Sequence, residues 1–192
     1  MKLQRVVVLL SVTMAVSLCG HAVAAAPAAG MVGVVDFYAP TPLGAFGFAP
    51  EQFAADDLTA LLSGAGAGRL TIVSRESIER AEASLGWQGA DILRFDRLGA
   101  LARAVGANAL IVGRIPLLDN LEGGRTPPEA SVYTTLWLQV FDVARGRFVA
   151  ETRQSAFVVA GIQRDLRTKQ VLHDALVRAV PPLVDALNTG SP

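Results

Sequence analysis

The sequence predicts an α/β fold: a single three-layer sandwich whose mixed sheet of about five strands is flanked by helices and ends in a β-hairpin and a C-terminal helix. Short apolar runs rich in β-branched residues alternate with segments of helical periodicity, in the order β-α-β-α-α-β-β-β-α. No internal repeat and no long linker divides the 192 residues. Because 52% of the residues are hydrophobic, the chain is long enough to bury one core of its own.

The N-terminal segment has the three parts of a secretory signal. Two basic residues precede Val6–Leu18, which is 13 residues long and carries no charge, and Ala22–Ala24 then offers small residues to a signal peptidase. The uncharged run is shorter than the roughly 20 residues that a membrane-spanning helix needs. We therefore expect cleavage near Ala24, with residues 1–25 as a signal peptide and residues 26–192 as a single α/β domain.

Cys19 offers a second interpretation of this segment. Bacterial lipoproteins are cut just before a cysteine that is then acylated, but that cut prefers a small residue upstream, and Leu18 is large. Membrane attachment is expected only if Cys19 is lipidated. After ordinary cleavage the chain keeps no cysteine and one histidine, His173, which removes thiol chemistry and leaves little for a histidine-assisted nucleophile.

The first half of the domain predicts two strands and two helices around a loop rich in proline and glycine. Apolar runs indicate the strands, and apolar residues three or four apart indicate the helices. Ser74 is placed to cap the second helix. The predicted segments are strand Gly30–Tyr38, loop 39–50, helix Glu51–Leu62, strand Leu70–Val73 and helix Glu76–Leu85.

The second half predicts a helix, a central strand, a hairpin and a long final helix. Pro181 and Pro182 are expected to bend or restart that last helix, since proline cannot donate a helical hydrogen bond. In domain terms, residues 31–160 form the core and residues 163–188 the C-terminal helix. The predicted segments are helix Arg94–Val105, strand Ala109–Ile115, polar loop 117–130, strands Ser131–Val143 and Arg147–Val159, and helix Gln163–Leu187.

Two groups of apolar and aromatic residues are candidates for contact with a partner. In the first hairpin strand the even positions from Leu136 to Val140 point one way, while Tyr133, Trp137 and Phe141 point the other. That aromatic stripe is either a second core face under a helix or an open partner surface. The rings in the loop either fold back onto the core or act as anchors. The candidate partner-binding residues are Leu43, Phe46, Phe48, Tyr133 and Trp137.

Composition excludes several function classes. The 17 basic and 17 acidic residues give no positive footprint for nucleic acid, and two histidines with one cysteine exclude an ordinary zinc site. The glycines at 64–68 lie between a predicted helix and a strand, the reverse of the order in a phosphate-binding loop. We predict no cofactor and no metal.

Residues with catalytic chemistry are few. Asp56 and Asp57 are adjacent on a helix and so do not share one site, and His173 is expected to be solvated, away from Ser74. We assign structural roles to the Asp36 and Asp142 carboxylates. Asp142 is expected to accept hydrogen bonds from backbone amides in a turn before Gly146. The sequence therefore predicts a protein that is not an enzyme, although a pocket of convergent carboxylates with an arginine would favour catalysis.

Five segments in order resemble one protein family. These are Val34–Phe37, Leu58–Leu62, Ile72–Arg75, Leu101–Gly113 and Val140–Gly146. They are similar to the V-x-D-F strand, the following helix, the V-x-x-R strand end, the G-A-x-x-l-v-x-G segment and the D-v-x-x-G turn of CsgG-like proteins and of the amino-terminal domain of TolB. The resemblance spans Val34 to Ser155.

This resemblance implies a non-enzymatic α/β domain that works by contact in the bacterial envelope. It implies a periplasmic or otherwise exported location, with other envelope proteins or a second copy as partners and no nucleic acid. The alternative that it leaves open is an accessory subunit of an envelope secretion or transport assembly, associated with the outer membrane. No functional residue of the family can be carried over to a position of this sequence.

Overall fold

The computed structural model describes residues 30–40, 46–65, 70–121, 131–158 and 163–189. Five strands and four α-helices follow one another in the predicted order, which confirms the expected α/β fold. A short 3₁₀ helix, Gly89–Leu93, lies between the second and third helices. The elements are β1 (Gly30–Val34), α1 (Pro50–Ala65), β2 (Leu70–Ile72), α2 (Arg75–Leu85), α3 (Phe95–Val105), β3 (Ala109–Leu121), β4 (Ser131–Asp142), β5 (Arg147–Val158) and α4 (Arg164–Thr189).

The strands form one mixed sheet in the order β2-β1-β3-β4-β5. The strands β1, β2 and β3 are parallel, because helices connect them, whereas β4 is antiparallel to β3, and β5 is antiparallel to β4 after a short turn. β1 pairs with β3 from Val32 opposite Ala109 to Val34 opposite Ile111. β3 continues well beyond the end of β1, so β3, β4 and β5 are the described strands that form the outer half of the sheet.

Helices pack on both faces of the sheet and make two cores. Val32, Ile111 and Leu138 point to the face that α1 and α4 cover, and Val35 and Leu110 point to the face of α2 and α3. The alternation of side chains along each strand therefore fills both cores from one sheet, as in a three-layer sandwich.

Local sequence signals set the ends of several elements. The Ser74 hydroxyl accepts a hydrogen bond from the backbone N–H of Ser77 and so caps α2 as predicted. In the hairpin turn, a carboxylate oxygen of Asp142 accepts the backbone N–H of Arg145 at 2.8 Å. Gly146 follows with a φ of 62°, a left-handed conformation that glycine adopts without a steric cost. The predicted turn roles of Asp142 and Gly146 are thus observed.

The boundaries of two strands differ from the prediction. β1 ends at Val34 instead of Tyr38, because the backbone leaves the regular ladder around Asp36 and rejoins β3 only at Tyr38, whose N–H donates to the Gly113 carbonyl at 2.9 Å. β3 runs to Leu121, through part of the predicted polar loop. The strand accepts Pro116 because its register shifts there, and a proline is tolerated at such a bulge.

The expected bend at Pro181 and Pro182 is not observed as a break. α4 is continuous from Arg164 to Thr189 with both prolines inside it. Both are exposed, whereas Val180 and Leu183 on either side are buried. The carbonyls that lose a helical partner to proline can therefore face water, and burial of the apolar side holds the helix together.

Candidate functional site

One half of a sheet face lies outside the helical layers. The core made with α2 and α3 contains Leu110, Val112 and Phe141, but no residue further along these strands. Leu117 and Phe157, on the outer part of the same face, are 44% and 51% exposed. We call this outer part the open sheet face, and it comprises Arg114, Leu117, Tyr133, Thr135, Trp137, Gln139, Glu151, Arg153, Ser155 and Phe157.

A row of three side chains crosses the middle of the open sheet face. Arg114 of β3, Trp137 of β4 and Arg153 of β5 are direct cross-strand neighbours. The guanidinium carbon of Arg114 lies 3.3 Å from the centroid of the Trp137 ring, and that of Arg153 lies 4.5 Å from it. The indole therefore stands between two cations, each attracted to its π system.

The two arginines of this row differ in their partners. Nε of Arg153 lies 3.3 Å from a carboxylate oxygen of Glu151, and that carboxylate also accepts a hydrogen bond from Gln139 at 3.1 Å. Arg114 makes no hydrogen bond or ion pair with any residue that the structure describes. Burial lowers the pKa of the Arg114 guanidinium, the negative charge of Glu151 opposes this shift, and the positive charge of Arg153 adds to it.

Hydroxyl groups form the next row outward. The Tyr133 hydroxyl donates to Ser155 at 3.1 Å, Thr135 donates to the Tyr133 oxygen at 3.1 Å, and the Thr135 and Ser155 oxygens are also 3.1 Å apart. These hydrogen bonds lower the pKa of the Tyr133 phenol, the one to Ser155 most. The open sheet face thus combines aromatic rings, cations and hydroxyls beside exposed apolar carbon.

The second group of predicted partner residues lies on the opposite side of the sheet. Leu43 is outside the described residues. Phe48 packs edge-to-face on Phe53 of α1 with ring centroids 5.7 Å apart, and Lys169 and Arg164 of α4 stand over Phe48 and Phe46, each at 4.9 Å. Both rings are half-buried, so Phe46 and Phe48 follow the fold-back alternative and do not join Tyr133 and Trp137 in one site.

A charged cleft lies where β1 and β2 end. Asp36 follows β1, Arg75 follows β2, and the helices after these strands leave to opposite faces, the arrangement at which open α/β sheets form a crevice. Arg75 donates to the Val34 carbonyl at 2.9 Å and to Asp56 at 2.8 Å, and it forms an ion pair with Asp36. Glu82 completes this cluster.

The chemistry of this charged cleft is limited. Burial raises the pKa of Glu82 to about 7, and the negative charge of Asp36 acts in the same direction. The open cleft is lined by Glu51, Glu79 and Trp87 besides Asp36 and Glu82. It meets the condition of convergent carboxylates with an arginine, but the guanidinium already binds its own acids, and no serine, threonine, lysine or histidine is among the described residues that line it. We interpret the cluster as a structural ion network.

Sequence reasoning missed this cluster. The sequence analysis placed Arg75 only at the end of a strand and considered Asp36 together with Asp142, without connecting Asp36 to Arg75. The structure does not pair Asp36 with Asp142, since Asp142 lies opposite Ala109 at the start of β3, whereas Asp36 follows the end of β1, where Val34 is opposite Ile111. The signal that was available is a charged residue directly after each of two parallel strands, which places both at one edge of the sheet.

The remaining catalytic candidates are each engaged elsewhere. The Ser74 hydroxyl is bonded to Ser77, and His173, which is exposed as expected, is hydrogen-bonded to Asp57 at 2.8 Å. In the described ranges, no three histidine, cysteine, aspartate or glutamate side chains are arranged to hold a metal ion. A search of the described helices for a membrane-crossing segment finds none of sufficient length and apolar character.

Comparison with known proteins shows the fold. Lipoprotein GNA1162 from Neisseria meningitidis matches with a TM-score of 0.58 and 15% identity, over 79% of this chain and 97% of that chain. The hypothetical protein CT253 from Chlamydia trachomatis matches at 0.53 and 12% identity, over 81% and 98%. PelC from Paraburkholderia phytofirmans, solved as a dodecamer, matches at 0.50 and 14% identity, over 82% and 90%.

No family model matches the sequence, and no curated protein matches it at a significant level. The chain therefore shares its fold with a bacterial lipoprotein and with two further bacterial proteins. At sequence identities of 12–15%, these matches show a common fold, whereas function depends on the residues of the site.

Proposed function

We propose that the chain is a periplasmic, non-catalytic protein-interaction module of the bacterial cell envelope. The observation that carries this proposal is the composition of the open sheet face, where Trp137, Tyr133 and two arginines lie together and no helix of the described residues covers them. Tryptophan, tyrosine and arginine are the residue types that contribute most to binding at protein interfaces. A face of this kind suits a partner protein better than a small substrate, which needs a concave pocket.

Two further observations support the envelope assignment. The N-terminal segment has the pattern of a secretory signal, and a lipoprotein is among the solved structures of the same fold. The resemblance to CsgG-like proteins and to the amino-terminal domain of TolB points to the same compartment. We propose cleavage near Ala24 and export, with membrane attachment if Cys19 is acylated instead.

A paired cross-linking experiment tests the proposal. A photo-reactive amino acid is placed at Phe157 on the open sheet face, and in a matched variant at Val177 of α4, which is 44% exposed on the other side. Expressed with its own N-terminus in a bacterial host, the Phe157 variant should give a discrete cross-linked species in the envelope fraction, and the Val177 variant should not. A protein that stays in the cytosol, or that gives no product at either position, would contradict the proposal.

The alternative function is that of a subunit in an envelope secretion or transport assembly. One observation favours it, because PelC, of the same fold, is solved as a dodecamer. Sedimentation of the purified mature chain and its partition into detergent separate the two functions. A stable oligomer of many copies supports the assembly subunit, and a monomer supports the interaction module.

A further inference from the structure

The row of Arg114, Trp137 and Arg153 has more hydrogen-bond donors than acceptors among the described residues. Arg114 and Arg153 bring two positive charges to one indole, and Glu151 is the carboxylate that contacts them among the described residues, through Arg153. The buried indole N–H of Trp137 also has no hydrogen-bond partner there. A donor without an acceptor is costly when it is shielded from water, as the Trp137 indole N–H is, while the half-buried Arg114 guanidinium has N–H groups that no described residue accepts.

We propose that the open sheet face binds an acidic, extended segment of its partner protein, with Arg114 and Arg153 each receiving a carboxylate on either side of Trp137. This inference rests on the proposed function and names the chemistry of the partner. A guanidinium offers two parallel N–H groups that match the two oxygens of a carboxylate, so each arginine can bind one acidic side chain in a fixed orientation.

The spacing of the row sets the spacing of the acids. Arg114 and Arg153 stand on strands that are separated by β4, and neighbouring strands lie about 4.8 Å apart, so their backbones are roughly 9.6 Å apart. A polyproline II segment rises about 3.1 Å per residue with three residues per turn, so residues three apart face the same way at about 9.3 Å. The guanidinium carbons are closer together than the backbones, since they lie 3.3 Å and 4.5 Å from the same ring centroid. Glutamate side chains three positions apart on such a segment would therefore incline towards each other to reach both arginines.

The surroundings of the row favour a protein over a membrane surface. Electrostatic binding to anionic lipid takes clusters of about four to eight lysines and arginines. The open sheet face has two arginines and one glutamate, together with hydroxyls and the exposed carbon of Leu117 and Phe157. Aromatic and arginine side chains surrounded by polar groups are typical of a protein interface.

A fluorescence titration tests the proposal directly. The mature chain carrying Trp87→Phe retains Trp137 as its single tryptophan, and the probe is a capped peptide of four Glu-Pro-Pro repeats. We expect a saturable change in Trp137 emission at low salt, and no saturation with the matched Gln-Pro-Pro peptide. Arg114→Gln and Arg153→Gln should each weaken binding by about fivefold, the equivalent of one carboxylate contact. Arg103→Gln, an exposed arginine on α3, should leave binding unchanged.

Several outcomes would overturn this inference. Equal responses to the glutamate and glutamine peptides, or unchanged affinity in both arginine variants, would remove the carboxylate contact. Tighter saturation by phosphatidylglycerol vesicles or by inorganic phosphate would assign the row to a phosphate group instead. If Trp87→Phe does not fold, the arginine Nε–H signals of the unaltered, isotope-labelled chain give the same titration by nuclear magnetic resonance.

The cross-linking experiment separates the two proposals. A Phe157 cross-link that survives in the Arg114→Gln/Arg153→Gln double variant would refute the acidic partner and leave the interaction module standing. Loss of that cross-link in the double variant, with export unchanged, supports both. An exported chain without any cross-link contradicts the interaction module itself.

Discussion

Arg75 donates a hydrogen bond from Nη1 to the carbonyl oxygen of Val34 at 2.9 Å, across 41 residues of sequence. The contact ties the start of α2 to the end of β1. The same guanidinium binds Asp56 of α1 and Asp36 in the segment after β1, so one side chain connects three elements of the fold. Its side chain is only 13% exposed, which makes these contacts difficult for water to replace.

Replacing Arg75 by methionine should lower the free energy of unfolding by about 2–3 kcal/mol, because the carbonyl of Val34 and the Asp36 carboxylate lose their shared donor. Urea denaturation followed by circular dichroism measures the change. Arg80→Met on the same helix is the matched control, since Arg80 and its partner Glu76 are 69% and 82% exposed, and it should change stability by no more than about 0.5 kcal/mol. Equal losses in the two variants would show that Arg75 does not connect the elements as described.

Glu82 should make the stability of the protein fall as the pH rises. Burial and the charge of Asp36 raise its pKa to about 7 in the folded chain, while an unfolded glutamate titrates near about 4.3. Between these values the folded state holds a proton that the unfolded state has lost. The contribution of Glu82 is therefore fully present below about pH 4.3, declines as the pH rises to about 7, and amounts to about 3 kcal/mol.

The variant Glu82→Gln tests this directly, because an amide does not titrate. Its free energy of unfolding should lose the decline that the natural chain shows between pH 5 and pH 8, and it should exceed that of the natural chain at pH 8. Glu76→Gln, which removes a glutamate that is 82% exposed on the same helix, should retain the decline. An unchanged pH profile in Glu82→Gln would mean that Glu82 is ionised in the folded chain.

The order of elements could be predicted from the sequence because it depends on local patterns. The alternation around Trp137 fixed which residues share a face of β4, and Ser74 and Gly146 marked a helix start and a turn. Whether a helix covers that alternating stripe depends on how far α2 and α3 extend over the sheet. Local sequence patterns do not predict this extent. The structure covers Phe141 and leaves Trp137 on the open sheet face.

Contacts between residues distant in sequence account for most of what the sequence analysis missed. The pairing of Asp36 with Arg75 spans 39 residues and that of Asp57 with His173 spans 116. Both depend on how the helices cross the sheet. The continuous path of α4 through Pro181 has the same origin, since burial against the sheet outweighs a local preference to bend.

The hydrogen bond between Asp57 and His173 should contribute little stability. It joins α1 to α4, but the His173 side chain is 46% exposed, and exposed ion pairs are worth about 0.2–1 kcal/mol. A double-mutant cycle with Asp57→Asn and His173→Gln should therefore give a coupling energy of about 0.5 kcal/mol, measured by urea denaturation. A coupling above about 2 kcal/mol would indicate a buried pair instead.

Gly113 of β3 should tolerate no side chain, because a Cβ placed there would overlap the Cε1 atom of Phe37. The Phe37 ring is 3% exposed and packed in the core of α1 and α4, so it cannot move away. Gly113→Ala should thus cost about 3 kcal/mol through overpacking, measured as a lower urea midpoint. Gly64→Ala in α1, where nothing lies within 4 Å, should instead add about 0.5–1 kcal/mol.

The clash itself can be tested by removing the ring. Phe37→Ala alone leaves a cavity and should cost about 3–5 kcal/mol. In that background the methyl group of Gly113→Ala occupies space that the ring has vacated, so the second substitution should cost less than about 1 kcal/mol, a strongly non-additive result. Additive losses from Phe37→Ala and Gly113→Ala would mean that the glycine is required for its backbone alone and not for the close approach of the Phe37 ring.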